Sequence, residues 1–215
     1  YAKARLAKTM SAVHCPMNSD SIIELKEARN PELVLDGETV IPNTINWDNS
    51  IRVVIISGPN TGGKTVTLKT LGLLALMARA GLYLPVKENS KIPFFPKIYS
   101  DIGDDQNIQL KLSTFSGHLK KIVHILNHVD TGSLVLLDEL GIATDPAEGA
   151  ALAEAILFDL KNKNVMTLVS THYFTLKILA QTHEGFLNAC TEFDLETLGP
   201  TYRLIFGAPG QSAAL

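Results

Sequence analysis

The eight residues Gly58-Pro59-Asn60-Thr61-Gly62-Gly63-Lys64-Thr65 constrain this chain more than any other stretch. They fit G-x-x-x-x-G-K-[ST], a pattern that cradles phosphate when it lies between a strand and a helix. Both flanks are present. "RVVIISG" (52–58) is a short β-branched run ending in glycine, suited to a buried central strand. Residues 63–80 then read as a long, mostly apolar helix stopped by Gly81. The glycines let successive backbone N–H groups converge on phosphate oxygens, and the helix start adds partial positive charge. In such a cradle Lys64 bridges the β and γ phosphates and the Thr65 hydroxyl ligates Mg²⁺. ATP with Mg²⁺ is therefore the expected cofactor pair.

The rest of the chain supplies a matching scaffold. "SLVLLDE" (133–139) and "VMTLVSTH" (165–172) are further buried strands, separated by helical patterns from Ser113 and from Asp145-Pro146. At the latter, Asp serves as cap and Pro occupies the first helical position, where its missing N–H does no harm. Strand–helix alternation of this kind predicts an α/β fold with a largely parallel sheet covered on both faces. Between Ser21 and Trp47 short β-type runs are punctuated by Asn30-Pro31, Asp36-Gly37 and Pro42, which predicts an antiparallel, turn-rich subdomain. Residues 85–112 read as irregular, and "NACTEFD" with "TYRLIFG" reads as a terminal hairpin.

Composition narrows the functional classes. With 215 residues, 46% hydrophobic and 19% charged, the chain resembles an ordinary globular protein. A net charge of −3 does not mark it for polyanion binding as a whole. The apolar run Leu71 to Met77 is flanked too closely by Lys69 and Arg79 to span a membrane. Cys15 and Cys190 lack metal-ligand spacing and read as reduced buried thiols, which with the absence of a secretory signal predicts a cytoplasmic protein. The chain opens at Tyr1 within a helical pattern and stops shortly after Ser212, so a piece of a longer polypeptide is expected.

Three further sites carry chemistry. Asp138 ends an apolar strand, where a carboxylate reaches Mg²⁺ beside the cradle, and Glu139 is placed to polarise the attacking water. An Asp-Glu pair at a strand end is also a common solvated turn, but the upstream cradle favours catalysis. His172, beyond the third strand, reads as a γ-phosphate sensor, although a lone histidine is more often structural. Ser113 and Thr114 open a long amphipathic helix, so hydroxyls, free N–H groups and dipole point one way. A simple N-cap is by itself the better explanation, but the cis site already has its lysine, hydroxyl and carboxylates, which favours a surface that closes on a partner's γ-phosphate.

"GPNTGGKT", "DIGDDQ", "STFSGH", "LVLLDELG", "TDPAEGAALA" and "STHY" occur in an order that resembles the ATPase domain of the MutS family. Within it they resemble the type-two bacterial branch, whose longer members carry a C-terminal Smr nuclease domain. The resemblance runs from about Ile22 to Leu215. It implies a P-loop NTPase of ABC type, working as a homodimer with two composite ATP sites. Each site would take residues 58–65, Asp138, Glu139 and His172 from one subunit, and Ser113 with Thr114 from the other. Gln106 would lie in the loop that couples the phosphates to the rest of the protein. Gly141, Thr144 and Asp145 would belong to the dimer-contact loop. Residues 1–15 would end a helix of a preceding clamp domain, and 16–215 would form the ATPase domain without its C-terminal dimerisation element. The implied work is a clamp driven by ATP on branched DNA, suppressing recombination, or on collided ribosomes, through regions outside this chain.

Departures from the family pattern are Asn30 for a common His, Ala143 (beside Ile142) for Gly, and Gln211 for Arg. Two other readings compete. The ATP-binding subunit of a membrane transporter shares the cradle and the Asp-Glu pair, but its signature reads LSGGQ-like where this chain has "STFSGH". Residues 21–47 also lack an obvious aromatic to stack on adenine. A non-hydrolysing, nucleotide-gated dimerisation module would have no use for Glu139.

Overall fold

The computed structural model describes residues 1–103, 111–141, 145–194, 196–197 and 199–208, with the side chains of 111–115 outside that description. In chain order its elements are α1 (Ala2–Thr9), β1 (Met17–Asn18), β2 (Ile23–Ala28), α2 (Pro31–Leu35), β3 (Asn43–Trp47) and β4 (Val53–Ser57). After the phosphate-loop pattern come α3 (Lys64–Arg79), β5 (Ile92–Pro93), β6 (Ile98–Asp101) and α4 (Lys111–His128). The remainder is β7 (Leu134–Leu137), α5 (Pro146–Asn162), β8 (Met166–Ser170), α6 (Phe174–Thr182), β9 (Phe186–Asp194) and β10 (Gly199–Phe206).

Six strands form the main sheet in the order β10-β9-β4-β8-β7-β6. Every pairing is parallel except the β9–β10 hairpin at one edge. β4 lies inside it, all five residues buried. Because strand side chains alternate between faces, the run splits cleanly. Val54 and Ile56 join Leu68, Leu71 and Leu74 of α3 on one face. Val53 and Ile55 join Ile122 and Ile125 of α4, Leu157 and Leu160 of α5, and Leu176 of α6 on the other. A parallel sheet with both faces covered requires such unbroken apolar strands.

The segment before β4 forms the expected antiparallel pair, β2 with β3, packed on the α3 face. Asn30-Pro31 is more than a turn. Asn30 caps α2, accepting from the N–H groups of Glu32 (3.0 Å) and Leu33 (3.2 Å), with Pro31 at the first helical position. Its Nδ2 donates to Thr70 Oγ1 of α3 over 3.0 Å, so a buried carboxamide ties the small sheet's connection to the helix behind the cradle.

Other differences from the sequence reading are local. Residues 85–112 contain β6, an edge strand paired with β7, where an irregular segment is expected from Pro96 and Gly103 on either side. α4 is helical from Lys111, two residues before Ser113. α6 follows "STHY" directly, and the terminal hairpin extends the main sheet through β9. Cys15 and Cys190 are both buried free thiols, and burial pushes Cys15 up to about 11.

Candidate nucleotide-binding site

The loop between β4 and α3 takes its shape from its glycines and from what backs it. Gly63 is left-handed (φ 87°), a conformation that only glycine adopts without strain. A Cβ on Gly58 or Gly62 would stand 2.2 or 2.3 Å from Thr191 Oγ1 on β9. That hydroxyl is buried and has no hydrogen-bond partner among the described residues. Lys64, a residue 2% exposed, donates from its ammonium to the carbonyls of Gly58 (2.8 Å) and Pro59 (3.0 Å) and to Asn60 Oδ1 (3.2 Å). Burial pushes its pKa down, and the charges of Glu139 and Asp138 work against that shift. Lys64 is therefore a buried cation facing two carboxylates, with all its hydrogen bonds made to the loop it will share with a phosphate.

Asp138 meets the loop from β7. Its Oδ2 accepts from the Thr65 hydroxyl at 2.6 Å, and its Oδ1 accepts from the Ser170 hydroxyl at the end of β8. Ser170 Oγ in turn accepts from the Glu139 N–H at 2.9 Å. The Asp138 N–H donates to the Asp101 carbonyl on β6 over 2.9 Å. The carboxylate is thus held by hydroxyls from two elements and its backbone by a third. Glu139 then turns into the left-handed region (φ 52°), uncommon for a side chain of this kind and a form of strain that clusters at functional sites. Its Oε1 lies 3.5 Å from His172 Nε2. Burial and the Lys64 charge hold the His172 pKa below its ordinary value, with Glu139 acting in the opposite sense.

Asp101 also reaches α4. Its buried carboxylate meets His118 Nδ1 at 2.6 Å and Lys121 Nζ at 3.1 Å. This places two cationic or ionisable side chains of the helix that carries "STFSGH" against the strand next to Asp138. Gly141 is left-handed (φ 90°), its carbonyl accepts from the Tyr173 hydroxyl at 2.7 Å, and a Cβ there would stand 2.5 Å from the Gly149 carbonyl oxygen. Asp145 uses its carboxylate within its own helix, accepting from the N–H groups of Ala147 (2.9 Å) and Glu148 (3.4 Å).

Residues 58–65, Asp138, Glu139 and His172 are therefore brought to one end of the sheet. Gln106, Ile142, Ala143, Thr144 and Gln211 lie outside the described residues, as do the side chains of Ser113 and Thr114. Sequence reasoning missed Ser170, Thr191 and Asp101; Ser170 and Asp101 end β8 and β6, Thr191 lies within β9, and only the sheet order reveals their neighbours. It also missed an aromatic. A cavity of about 420 Å³ opens beside the loop, lined by Ala28, Val40, Ile41, Ile45 and Gly63, and Tyr202 from β10 stands at it. Residues 21–47 do lack an aromatic at this cavity; the ring comes from more than 150 positions further along the chain.

Comparison with known proteins places the chain in a family. The family model described as MutS domain V matches residues 54–205. Endonuclease MutS2 of Bacillus velezensis is 51% identical over 214 residues, covering 100% of this chain and 27% of the relative. The putative endonuclease MutS2 of Bacillus subtilis is also 51% identical over 214 residues with the same coverage, and endonuclease MutS2 of Acetivibrio thermocellus is 52% identical over 215. The chain spans 27% of the length of these curated relatives. With the family model matching well over half of its residues, the chain belongs to the MutS family, of which it carries domain V.

Proposed function

We propose that this chain binds ATP with Mg²⁺ and hydrolyses it as the ABC-type ATPase domain of a MutS protein, working as a homodimer. The carrying observation is the meeting of the Lys64–Thr65 loop end with Asp138, Glu139 and His172 at one end of the parallel sheet. Residues 58–65 hold the phosphates, and Lys64 transfers hydrogen bonds from its own loop to them. Thr65 and Asp138 offer two hard oxygens 2.6 Å apart, the kind of donor set that suits Mg²⁺ when phosphate and water complete its shell. Held by these two oxygens, a Mg²⁺ ion would supply neutralisation of charge on the phosphates. Glu139 takes a proton from the water that attacks the γ-phosphorus, as the bond to the bridging oxygen of ADP breaks. His172, held neutral, orients Glu139 and faces the leaving phosphate. The cavity beside Gly63 takes the nucleoside, under the ring of Tyr202.

In this reading Ser113 and Thr114 of a second copy complete the site, Gln106 couples it to the clamp, and Gly141, Thr144 and Asp145 lie at the dimer contact. Residues 1–15, helical over Ala2–Thr9, lead in from a preceding domain and 16–215 form the motor. The whole protein is a cytoplasmic clamp acting on branched DNA or collided ribosomes through parts of the longer relatives beyond the matched span. No helix among the described residues is long and apolar enough to cross a membrane. It is domain V membership that displaces the transporter reading. The test is ATP turnover against protein concentration, with and without a chelator. A specific rate that rises with concentration and vanishes on chelation is expected. A specific rate constant across the dimerisation range, or one indifferent to chelation, contradicts the composite metal-dependent site.

A further inference from the structure

β10 is the outer strand of the main sheet, and it is irregular where it passes the cavity. Pro200 pairs with Phe193 and Leu204 with Thr191, so three residues of β10 stand opposite the single Glu192 of β9. Bulges of this kind re-aim side chains. Tyr202 is the middle residue, with φ at 59°, a conformation that bulky side chains rarely adopt unless the surroundings impose it. The surroundings do so from both sides. On the β9 side the Thr201 hydroxyl donates to Glu192 Oε2 over 2.8 Å. On the free edge a single carboxamide, that of Asn43 at the start of β3, spans the bulge. Its Nδ2 donates to the Tyr202 carbonyl at 2.8 Å and its Oδ1 accepts from the Leu204 N–H at 2.7 Å. Asn43 thus supplies one donor and one acceptor, as a residue of a paired strand would. Only a side-chain amide offers both from one short planar group; aspartate would set a charge against the carbonyl.

The consequence falls at the cavity. The Tyr202 ring lies against the start of α3, its Cδ1 standing 3.4 Å from where a Cβ on Gly63 would be. Asn43, Gly63 and Tyr202 all line the same cavity.

We propose that Asn43 is a positioning residue for the nucleoside end of the site: its carboxamide holds the β10 bulge so that the Tyr202 ring covers the base. The proposal rests on the cavity being the base pocket. Asn43 acts through Tyr202 and leaves the phosphate end alone, which separates it from a residue that merely stabilises the fold. It also couples two sheets that are otherwise distinct: a shift of β3 moves the Tyr202 ring.

The experiment titrates Mg-ADP and, separately, Mg-tripolyphosphate (a ligand with phosphates and no base) into the wild type, Asn43→Asp, Asn43→Ala, Tyr202→Ala and the Asn43→Asp/Tyr202→Ala double variant. Emission of Trp47, the one tryptophan and also on β3, checks that the small sheet stays folded. Asn43→Asp is expected to weaken Mg-ADP about tenfold, or about 1.4 kcal/mol, and to leave tripolyphosphate unchanged. In the Tyr202→Ala background it should cost less than about twofold, because no ring remains to position. Equal losses for both ligands, an undiminished loss without the ring, or no loss from either Asn43 variant would overturn the proposal. If Tyr202→Ala itself leaves Mg-ADP affinity intact, the base-pocket reading falls first and this proposal with it. Should Asn43→Ala unfold the small sheet, Asn43→Asp alone decides, since it retains the acceptor for Leu204.

Discussion

The Thr65 hydroxyl donates to Asp138 Oδ2 across 2.6 Å, although the two residues lie 73 positions apart. One end of that pair is fixed by the start of α3, the other by the Ser170 hydroxyl and the Asp101 carbonyl. A metal placed there needs both oxygens, so Asp138→Asn should remove the gain in nucleotide affinity that Mg²⁺ brings. Metal-free nucleotide binding should change little. Titration of ADP with Mg²⁺ and with chelator measures the difference; an unchanged Mg²⁺ increment contradicts the assignment.

Asn30 joins two structural tasks, capping α2 and bonding Thr70 of α3. Loss of a cap costs about 1 kcal/mol, and an unpaired buried partner adds a similar amount. Asn30→Ala should therefore lower stability by about 1–3 kcal/mol, or Tm by roughly 2–10 °C for a chain of this size. Asn30→Asp keeps the acceptor for Glu32 and Leu33 but loses the donor to Thr70 and buries a charge, so it should recover at most the capping share of the loss. Thermal melts of the two variants compare directly, and an unchanged Tm for Asn30→Ala would deny the residue its structural role.

His172 carries a pH dependence whose sign is fixed by its surroundings. Burial and Lys64 place its folded pKa below the ordinary value of 6.5. The unfolded chain therefore takes up this proton first as pH falls, so His172 contributes full stability above about 6.5 and loses it progressively below. Wild type should lose more stability than His172→Asn between pH 7.5 and 5.5. If the pair with Glu139 governed instead, the wild type would gain on acidification relative to the variant.

Gly141 bears on the loop that follows the catalytic candidate. Its left-handed backbone and the 2.5 Å approach of a Cβ to the Gly149 carbonyl leave no room for a side chain. Gly141→Ala should destabilise by about 1–3 kcal/mol and shift the Tyr173 contact, seen as a lower Tm. An unaffected Tm would mean that the loop relaxes around the added methyl.

Much of this was legible in the chain because the elements that carry the site announce themselves locally. β4, β7 and β8 are mostly apolar runs of four or five buried residues, each ending where chemistry begins. Gly63 and the Asp145-Pro146 cap are read from residue type alone. What escaped depends on neighbours that are distant in sequence. Ser170 faces Asp138 because β8 lies beside β7, and no local pattern states that order. β6 is four residues bounded by irregular chain, and its strand character comes from pairing with β7. Tyr202 reaches the cavity through a bulge and a left-handed turn that "TYRLIF" does not signal. Asn30 reads as a turn residue and is the N-cap of α2, and its further bond, to Thr70, belongs to tertiary packing.

Whether this site hydrolyses ATP through Glu139 is decided by the Glu139→Gln variant. Mixed in single-turnover conditions with Mg-ATP, this variant should bind nucleotide within about twofold of the wild type and lose hydrolysis by roughly 10²–10⁴-fold, the usual contribution of a general base. Lys64→Ala, run alongside, should fail at binding. Hydrolysis by Glu139→Gln at the wild-type rate would contradict the account.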